Sequence, residues 1–375
     1  MDSIIQSAFD EQDKDNEWSF QSSKPAHEEE AADQEFLEHT ARILVVGIGG
    51  AGNNSVTRLT DMGIAGAETI AVNTDAKHLS ITKAEKKVLI GRDLTKGLGA
   101  GGYPNIGKKA AEESRQDLKE MLNDVDLVFI TCGLGGGTGT GAAPVIARLA
   151  KEQGAIVIGC VTLPFKIEGA RIGKAEDGLM QLREVCDTVI VMENQKLLKL
   201  AGDLPLKQAF AMADNLIATM IKGISETISQ PSLVNLDYAD VKAVMRSGGV
   251  AAIGVGDSTS QHRAQEAVQK ALTHPLLEVD YTGATGALIQ IIGGEDMKLS
   301  EINEIGESVA KNLDPDAQVI WGARVLPDYA DKIQVITIIT GVKSPYILGP
   351  SQRAYSQDRQ GVQSMINDLG IKVIS

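Results

Sequence analysis

Long apolar runs are missing from this sequence, and so are the features of a secretory leader. No stretch of roughly eighteen or more uncharged apolar residues occurs, which is the length that a membrane-spanning helix needs. The opening residues, MDSII, contain neither the basic region nor the long apolar segment of a signal peptide. We therefore expect a cytoplasmic protein that does not insert directly into a membrane.

Cysteine is scarce as well. The chain of 375 residues has three cysteines, Cys132, Cys160 and Cys186, which are widely spaced and form no Cys-x-x-Cys pair. A disulfide framework or a zinc site is therefore not expected, and a reducing cytosol is the compartment that fits this cysteine usage.

Positive charge is in deficit: 36 Lys and Arg residues stand against 50 Asp and Glu residues, a net charge of −14. This balance argues against nucleic acid or an anionic membrane as the main partner. Residues 1–40 alone carry a net −10, so the other 335 residues carry only −4. Because such a polar segment buries too little apolar surface to offset its ordering entropy, we expect residues 1–40 to form a disordered acidic arm.

Two common nucleotide-binding signatures are also absent. The sequence contains no G-x-x-x-x-G-K-[ST], which excludes a P-loop NTPase. It contains no Asn-Lys-x-Asp either, the motif with which Ras-like proteins read guanine.

Short apolar runs do alternate with segments of helical spacing between residues 43 and 192. Runs such as Ile43–Val46 are apolar at every position, as expected of strands buried on both faces. This alternation predicts an α/β domain with a parallel sheet and right-handed crossovers. The predicted strands are Ile43–Val46, Glu68–Val72, Leu127–Thr131, Ile156–Val161 and Thr188–Met192, with the clearest helices at Ile106–Leu122 and Pro144–Glu152.

The segment Leu206–Ser229 has apolar residues at every third or fourth position, which predicts a long helix buried between two domains. Shorter strand and helix patterns after it predict a smaller α+β domain. The predicted organisation is a disordered arm at 1–40, a nucleotide-binding domain at 41–205, a central helix at 206–229, a C-terminal α+β domain at 230–342 and a flexible tail at 343–375.

The first predicted strand ends in a glycine-rich turn, Gly47–Asn54, followed by a helical pattern. Such a turn lets the backbone approach a phosphate, with the N–H groups at the helix start pointing at it. Gly47, Gly49 and Gly52 match G-x-G-x-x-G, the dinucleotide fingerprint, and Asp75 has the position of its acidic ribose partner. Taken alone, this turn supports a nicotinamide-dependent oxidoreductase.

A second glycine-rich segment, Gly133–Gly141, contains six glycines in nine positions between a predicted buried strand and a helix. Glycine costs roughly 0.5–1 kcal/mol where another residue would suit regular structure, so this density needs a backbone reason. A nest of N–H donors around a di- or triphosphate supplies one, with the hydroxyls of Thr138 and Thr140 as further donors; a flexible loop is the alternative. A third cluster, Gly97–Gly102, is a candidate sensor of the terminal phosphate.

Gly135–Gly141, GGGTGTG, resembles the signature of the tubulin/FtsZ family, and other family motifs follow in the family's order. The resemblance spans residues 42–342 and is closer to archaeal than to bacterial members of the FtsZ branch. It implies a Rossmann-like parallel-sheet GTPase domain, a central helix and a smaller α+β domain, together with GTP hydrolysis. The other motifs are Asn73–Ala76, Gly97–Pro104, Pro164–Gly169, Asn235–Asp240, Gly283–Leu288 and Val319–Ala323.

The resemblance also implies roles for individual residues. The turns at Gly50–Asn54 and Gly135–Gly141 would hold the phosphates, and Ala100 and Gly101 would meet the γ-phosphate. Phe210 would stack on the guanine, and Asp214 would accept the guanine N–H groups. Glu168 and Arg171 would lie at the ribose and phosphates, and Asn194 at the guanine. The implied GTP-binding residues are Gly49, Gly50, Ala51, Gly52, Asn53, Asn54, Asn73, Asp75, Ala100, Gly101, Gly135, Gly136, Gly137, Thr138, Gly139, Thr140, Gly141, Glu168, Arg171, Asn194, Phe210 and Asp214.

Simpler interpretations of two of these residues stay open at this point. Phe210 and Asp214 lie four positions apart and so share a helix face, but Phe210 also suits core packing and Asp214 an ion pair with Lys or Arg. The chain departs from bacterial members near Arg171, where they carry one more residue after the glutamate. It also has Glu193 where they have proline.

By the same resemblance, Asn235, Asp237 and Asp240 would act on the GTP of the neighbouring subunit and orient the attacking water. Two carboxylates three residues apart at a helix start stay ionised through the helix dipole, although Asn and Asp also suit a helix cap. Mg²⁺ would be held largely by phosphate oxygens and water, with Asp75 nearby. A site shared in this way would build head-to-tail homopolymers at the division site.

The last segment, residues 361–375, resembles the peptide with which FtsZ chains bind a membrane-tethering adaptor. A C-terminal strand packed on the domain is the alternative. A non-hydrolysing relative is a further alternative for the whole chain, which the presence of both Asp237 and Asp240 disfavours.

Overall fold

The computed structural model describes residues 41–342, apart from 202, 231, 235–237, 247–248, 274–280 and 312. The predicted arm (1–40) and tail (343–375) therefore lie outside the described residues, as do Asn235 and Asp237.

Within the described residues, ten strands form one sheet in the order β3-β2-β1-β4-β5-β6-β7-β10-β8-β9. All neighbouring pairs are parallel except those of β10, which runs antiparallel to β7 and β8. The strands are β1 Ile43–Ile48, β2 Ala67–Asn73, β3 Lys86–Leu89, β4 Leu127–Gly133, β5 Ile156–Leu163, β6 Thr188–Glu193, β7 Gly249–Ser258, β8 Ala284–Gly293, β9 Leu313–Val325 and β10 Ile333–Thr340.

Helices cover both faces of this sheet, which confirms the α/β prediction. The helices are α1 Gly49–Met62, α2 Ala76–Ile81, α3 Arg92–Thr95, α4 Pro104–Glu113, α5 Arg115–Met121, α6 Thr138–Glu152, α7 Ala170–Val185, α8 Asn194–Ala201, α9 Leu206–Ser229, α10 Tyr238–Arg246, α11 Arg263–Leu272 and α12 Leu299–Ala310. Short 3₁₀ turns occupy Lys166–Glu168 and Pro327–Tyr329. Among the described residues, no helix is both long and apolar enough to cross a membrane.

Apolar residues on successive positions of β1 serve two different cores. Leu44 and Val46 pack into the cluster on one face of the sheet, whereas Ile43 and Val45 pack into the cluster on the other. Since successive side chains of a strand point to opposite faces, an unbroken apolar run is what a doubly covered strand requires.

The long helix α9 begins and ends where its sequence pattern predicts, at Leu206 and Ser229. Its buried stripe includes Ile217, Ile221 and Ile224, which pack into the same core cluster as strands on both sides of the β6–β7 junction. At its end, Glu226 forms a 2.8 Å ion pair with Arg324 of β9. This helix therefore connects the amino-terminal strands with the carboxyl-terminal ones.

Two helix boundaries differ from the sequence-based prediction. The helix expected over Ile106–Leu122 is broken at Ser114, where φ is −94° and ψ is 21°, outside helical values. The Ser114 hydroxyl accepts the Gly91 N–H at 3.1 Å. The helix expected from Pro144 begins at Thr138 instead. Proline favours the first turn of a helix, but here it lies in the interior and only removes one hydrogen bond to the Thr140 carbonyl.

Candidate nucleotide-binding site

The three glycine-rich segments meet at the carboxyl edge of the sheet, beyond β1, β3 and β4. A Cβ added at Gly137 would lie 2.8 Å from the Ala100 Cβ and 2.9 Å from the Tyr103 nitrogen. Gly49 has a φ of 72°, and a Cβ there would lie 3.0 Å from the Gly139 nitrogen. Side chains at these positions would push the loops apart, which explains the glycines by close approach of backbones.

Two further glycines have no such explanation within the protein. A Cβ added at Gly50 or Gly136 would meet no atom within 4 Å, and neither residue needs a positive φ. Gly50 lies in the first turn of α1 and Gly136 lies two residues before α6. Both therefore border open space at the start of a long helix, where N–H groups and the helix dipole favour an anion.

Asn53 and Asn73 form a buried polar frame behind these loops. With its amide nitrogen turned toward the backbone, Asn53 donates to the Gly47 carbonyl at 2.8 Å and accepts from the Asn73 amide at 3.0 Å. The Asn73 oxygen accepts the N–H groups of Thr74 at 2.9 Å and of Asp75 at 3.2 Å. The two amides thus hold the ends of β1 and β2 in register and do not face open space.

The two threonine hydroxyls of the GGGTGTG loop also have partners inside the protein. The Thr138 hydroxyl lies 2.7 Å from that of Thr74, and the Thr140 oxygen accepts the Gly135 N–H at 2.9 Å. Thr138 thus connects the GGGTGTG loop to the loop after β2, and Thr140 closes the GGGTGTG loop on itself. Their expected role as donors to phosphate stays a prediction.

A cavity of about 550 Å³ opens beside the loops, within the size range of small-molecule sites. Phe210 on α9 lines it with 39% of its surface exposed and meets Phe165 edge-to-face at 5.8 Å between ring centroids. A core side chain would be buried, so the core-packing interpretation of Phe210 is wrong. The lining residues are Ala51, Asn54, Ser55, Thr131, Cys132, Thr162, Asn194, Phe210, Ala211, Ala213 and Asp214.

Asp214 lies in this cavity, where a serine holds its carboxylate. The Ser55 hydroxyl donates to its carboxylate at 2.7 Å. Burial raises the pKa of Asp214 above its usual value, whereas the Ser55 hydrogen bond and the charge of Arg58 lower the pKa in part. Among the described residues, Asp214 forms no ion pair with Lys or Arg, and Arg58 acts on it only through its charge.

Glu168 and Arg171 lie beside the GGGTGTG loop but pair with each other at 2.7 Å. Glu168 also accepts the Phe165 N–H at 2.9 Å. The Arg171 carbonyl oxygen would lie 2.9 Å from a Cβ on Gly135, so the start of α7 packs directly on the loop. Arg171 therefore lies beside the loop with Glu168 paired to it, and their roles at the ribose and phosphates stay predictions.

Asp75 serves as the N-cap of α2, where its carboxylate accepts the His78 N–H at 2.9 Å. This position is next to Leu98, with which it forms an isolated β-bridge. Asp75 therefore fixes the end of β2 against the Gly97–Gly102 loop.

The last predicted catalytic residue within the described residues, Asp240, lies at the opposite edge of the sheet. It is in the first turn of α10, where the Tyr238 hydroxyl donates to the Asp126 carbonyl at 2.8 Å. Asp126 directly precedes β4, and the seven residues of β4 separate it from the phosphate loop by about 20 Å. Asn235 and Asp237 precede α10 but lie outside the described residues.

The course of α9 independently places the segment before α10 far from the cavity. Asp214 lies in the cavity, while the Ser229 hydroxyl at the other end of the helix would lie 1.8 Å from a Cβ on Gly66, just before β2. Fifteen residues of helix span about 22 Å. The segment that follows, toward α10, thus starts at the amino edge of the sheet.

Ser55 is the site residue that sequence reasoning missed. It lies on α1, three residues after Gly52, and its hydroxyl reaches both the Ala51 carbonyl and Asp214. The sequence did contain a signal for Ser55. Ser55 lies one helical turn after Ala51, so the two residues share the helix face that lines the site.

Family models match most of the described chain. The model described as Tubulin/FtsZ family, GTPase domain, matches residues 42–202. The model described as FtsZ family, C-terminal domain, matches residues 249–343. Fold and site together define a tubulin-like GTPase.

Known proteins agree with this class. Cell division protein FtsZ 2 of Methanocaldococcus jannaschii is 60% identical over 312 residues, covering 82% of each chain. Cell division protein FtsZ 2 of Halobacterium salinarum is 51% identical over 325 residues, covering 86% of this chain and 83% of the relative. A solved M. jannaschii structure, an empty FtsZ dimer, has 50% identity and a TM-score of 0.78 over 84% of this chain and 93% of that one.

The chain therefore belongs to the FtsZ family of cell-division GTPases, and these relatives are archaeal, as the sequence resemblance indicated. A more distant structure, CetZ2 from Haloferax volcanii in a GTPgS bound protofilament, shares the fold at 22% identity with a TM-score of 0.70 over 85% of this chain and 99% of that one. We set aside the oxidoreductase alternative, because it leaves the Gly133–Gly141 loop without a role. The match to a GTPase domain also disfavours a non-hydrolysing relative.

The environment of Asp214 predicts how guanine-nucleotide affinity depends on pH. If the charged carboxylate accepts guanine N–H groups, as the family resemblance implies, affinity should fall roughly tenfold per pH unit once the pH drops below the raised pKa of Asp214. Ser55→Ala removes a hydrogen bond that favours the charged form, and should move this fall to higher pH. The measurement is the affinity for a fluorescent GTP analogue across a pH series, on protein too dilute to assemble.

Thr57→Ala is the matched control, since it removes a hydroxyl of the same helix that bonds the Asn53 carbonyl and the Lys83 N–H and not Asp214. Superimposable pH profiles for Ser55→Ala and the parent chain would contradict the assignment.

Proposed function

We propose that this GTPase polymerises head to tail, so that each active site is completed by the neighbouring subunit. The observation that carries the proposal is the separation of Asp240 from the phosphate loops by about 20 Å of strand. A carboxylate must lie within hydrogen-bond reach of the water it orients, directly or through one more water. Asp240 therefore serves a nucleotide on another copy of the chain.

In this arrangement each face contributes what the other lacks. The carboxyl edge supplies N–H groups at Gly50 and Gly136 and the cavity around Phe210. The amino edge supplies Asp240, together with Asn235 and Asp237 of the same segment. Phosphoryl transfer depends on positioning and charge stabilisation, so contact between subunits can switch hydrolysis on.

Exposed apolar side chains mark both faces as contact surfaces. At the carboxyl edge Ile167 is 94% exposed and Leu98 is 84% exposed. Leu233, 69% exposed, directly precedes Val234 and the catalytic segment. These side chains are available for contact between subunits, and contact between two different faces repeats into a filament.

Mg²⁺ completes the proposed site. Phosphate oxygens and water would hold most of its coordination sphere, as Mg²⁺ prefers. One carboxylate oxygen of Asp75 accepts the His78 N–H, which leaves the other for a water of that sphere. When bound, the ion supplies charge neutralisation at the phosphates.

Two variants that block opposite faces test the shared site. Ile167→Lys disables the carboxyl-edge face, and Leu233→Lys disables the amino-edge face. Burying an unpaired lysine costs on the order of 2 kcal/mol, so each variant alone should bind GTP but show roughly tenfold or greater loss of turnover. Mixed, they should form dimers with one complete site, and phosphate release should return without filaments that sediment.

Adding Asp240→Asn to one partner at a time makes the test directional. In the Ile167→Lys partner, which supplies the amino-edge face, it should abolish the recovered turnover; in the Leu233→Lys partner it should have no effect. Doubling the concentration of either variant alone is the control for mass action, and EDTA should stop the recovered reaction. Recovery that instead depends on Asp240 of the subunit holding the GTP would overturn the shared site.

We also propose that filaments act at the division site through residues 361–375, which would bind a membrane-tethering adaptor. The support is the resemblance of this segment to the adaptor peptide of FtsZ chains; the segment lies outside the described residues. A tagged chain lacking 361–375 should assemble at the same concentration as the parent but stay dispersed in the cytoplasm. Undiminished recruitment of the truncated chain to the division site would rule out this role.

A further inference from the structure

Lys174, in the second turn of α7, reaches across to the loop at residues 97–104. Its ammonium nitrogen donates a 2.8 Å hydrogen bond to the Gly102 carbonyl oxygen. The same nitrogen lies 5.4 Å from the centroid of the Tyr103 ring, within the range of a cation–π contact. One side chain of α7 therefore holds two consecutive residues of this loop.

The rest of the loop shows why this contact matters. On the entering side, the Gly99 N–H donates to the Thr74 carbonyl at 3.1 Å. On the leaving side, the Tyr103 N–H donates to the Ala100 carbonyl at 3.0 Å, within the loop itself. Between these bonds Gly101 and Gly102 have φ values of 59° and 76°. Glycine accepts this left-handed conformation easily but also leaves it easily, so an external anchor is needed to fix it.

The anchor is well placed to act on a phosphate without touching it. Ala100 packs against the GGGTGTG loop, as its approach to Gly137 shows. The carbonyl that Lys174 binds belongs to the residue after Gly101. This carbonyl shares a peptide plane with the Tyr103 N–H, which donates to the Ala100 carbonyl. Lys174 and Ala100 thus hold the same plane from two sides, and this limits where the Gly101 and Gly102 N–H groups between them can point.

We propose that Lys174 is a positioning residue that pre-orders this loop for the terminal phosphate of GTP and so favours GTP over GDP. The inference rests on the proposed role of Ala100 and Gly101 at that phosphate. A loop that is already ordered loses less conformational entropy on binding, and this gain reaches only a ligand that uses the loop. GDP lacks the terminal phosphate, so its affinity should not depend on Lys174.

The test compares two nucleotides on the full chain at dilutions where light scattering shows no assembly. Lys174→Met removes the hydrogen bond and the charge while keeping the apolar stem, and Lys174→Arg keeps a charged donor. Affinities for GTPγS and GDP are measured by displacement of a fluorescent nucleotide. Lys174→Met should weaken GTPγS roughly tenfold, the effect of losing one charge-assisted hydrogen bond, with GDP unchanged and Lys174→Arg in between.

Lys87→Met is the matched control, because Lys87 also donates to a backbone carbonyl, that of Ser80, at 2.9 Å. It should change neither affinity. Tyr103→Ala removes the ring and leaves the ammonium, and should produce a smaller loss in the same direction. Equal losses for GTPγS and GDP would make Lys174 an ordinary structural tether and overturn the inference.

Gly101→Ala distinguishes a failure of the role proposed for Lys174 from a failure of the role of the loop at the terminal phosphate. Alanine is strained at a φ of 59° and disturbs the loop directly. If Gly101→Ala lowers GTPγS affinity and Lys174→Met does not, the inference about Lys174 fails alone. If both variants leave the preference for GTPγS intact, the loop does not serve the terminal phosphate, and the role that the family resemblance implies for Ala100 and Gly101 fails.

Discussion

The parallel direction of β1 to β6 is the constraint on which the rest of this molecule depends. Because the carboxyl ends of parallel strands share one edge, all three glycine-rich loops and the start of α9 meet there. The same helix then carries the chain to the opposite edge, where α10 begins with its hydroxyl contact to Asp126. The fold itself therefore separates Asp240 from the three glycine-rich loops by about 20 Å, and no side-chain movement closes this gap.

Packing between the loops makes the nucleotide side rigid before any ligand arrives. Backbone-to-backbone approach at Gly49 and Gly137 leaves no room for a side chain, and the hydroxyls of Thr138 and Thr140 lock the same loops from within. The donors near Gly50 and Gly136 are thereby held open toward solvent. Electrostatic stabilisation is most effective when such dipoles need no reorganisation, so the rigidity serves the chemistry.

Much of this organisation can be predicted from sequence, because it follows from local patterns. Unbroken apolar runs identify doubly covered strands, and the stripe in Leu206–Ser229 gives both ends of α9. What the patterns miss includes the break at Ser114 and the role of Ser55, which depends on Asp214, 159 residues away. The sequence also gives no sign of the contacts that the hydroxyls of Thr138 and Thr140 make within the protein.

The central claim is that GTP and the catalytic carboxylates come from different subunits, and the dependence of turnover on protein concentration tests it most directly. Phosphate release per subunit is measured in magnesium and potassium buffer as the concentration of the parent chain rises, with Asp237→Ala alongside. We predict little release below a threshold and a rise above it, lost in Asp237→Ala. Release per subunit that is independent of concentration would place hydrolysis within one chain and contradict the account.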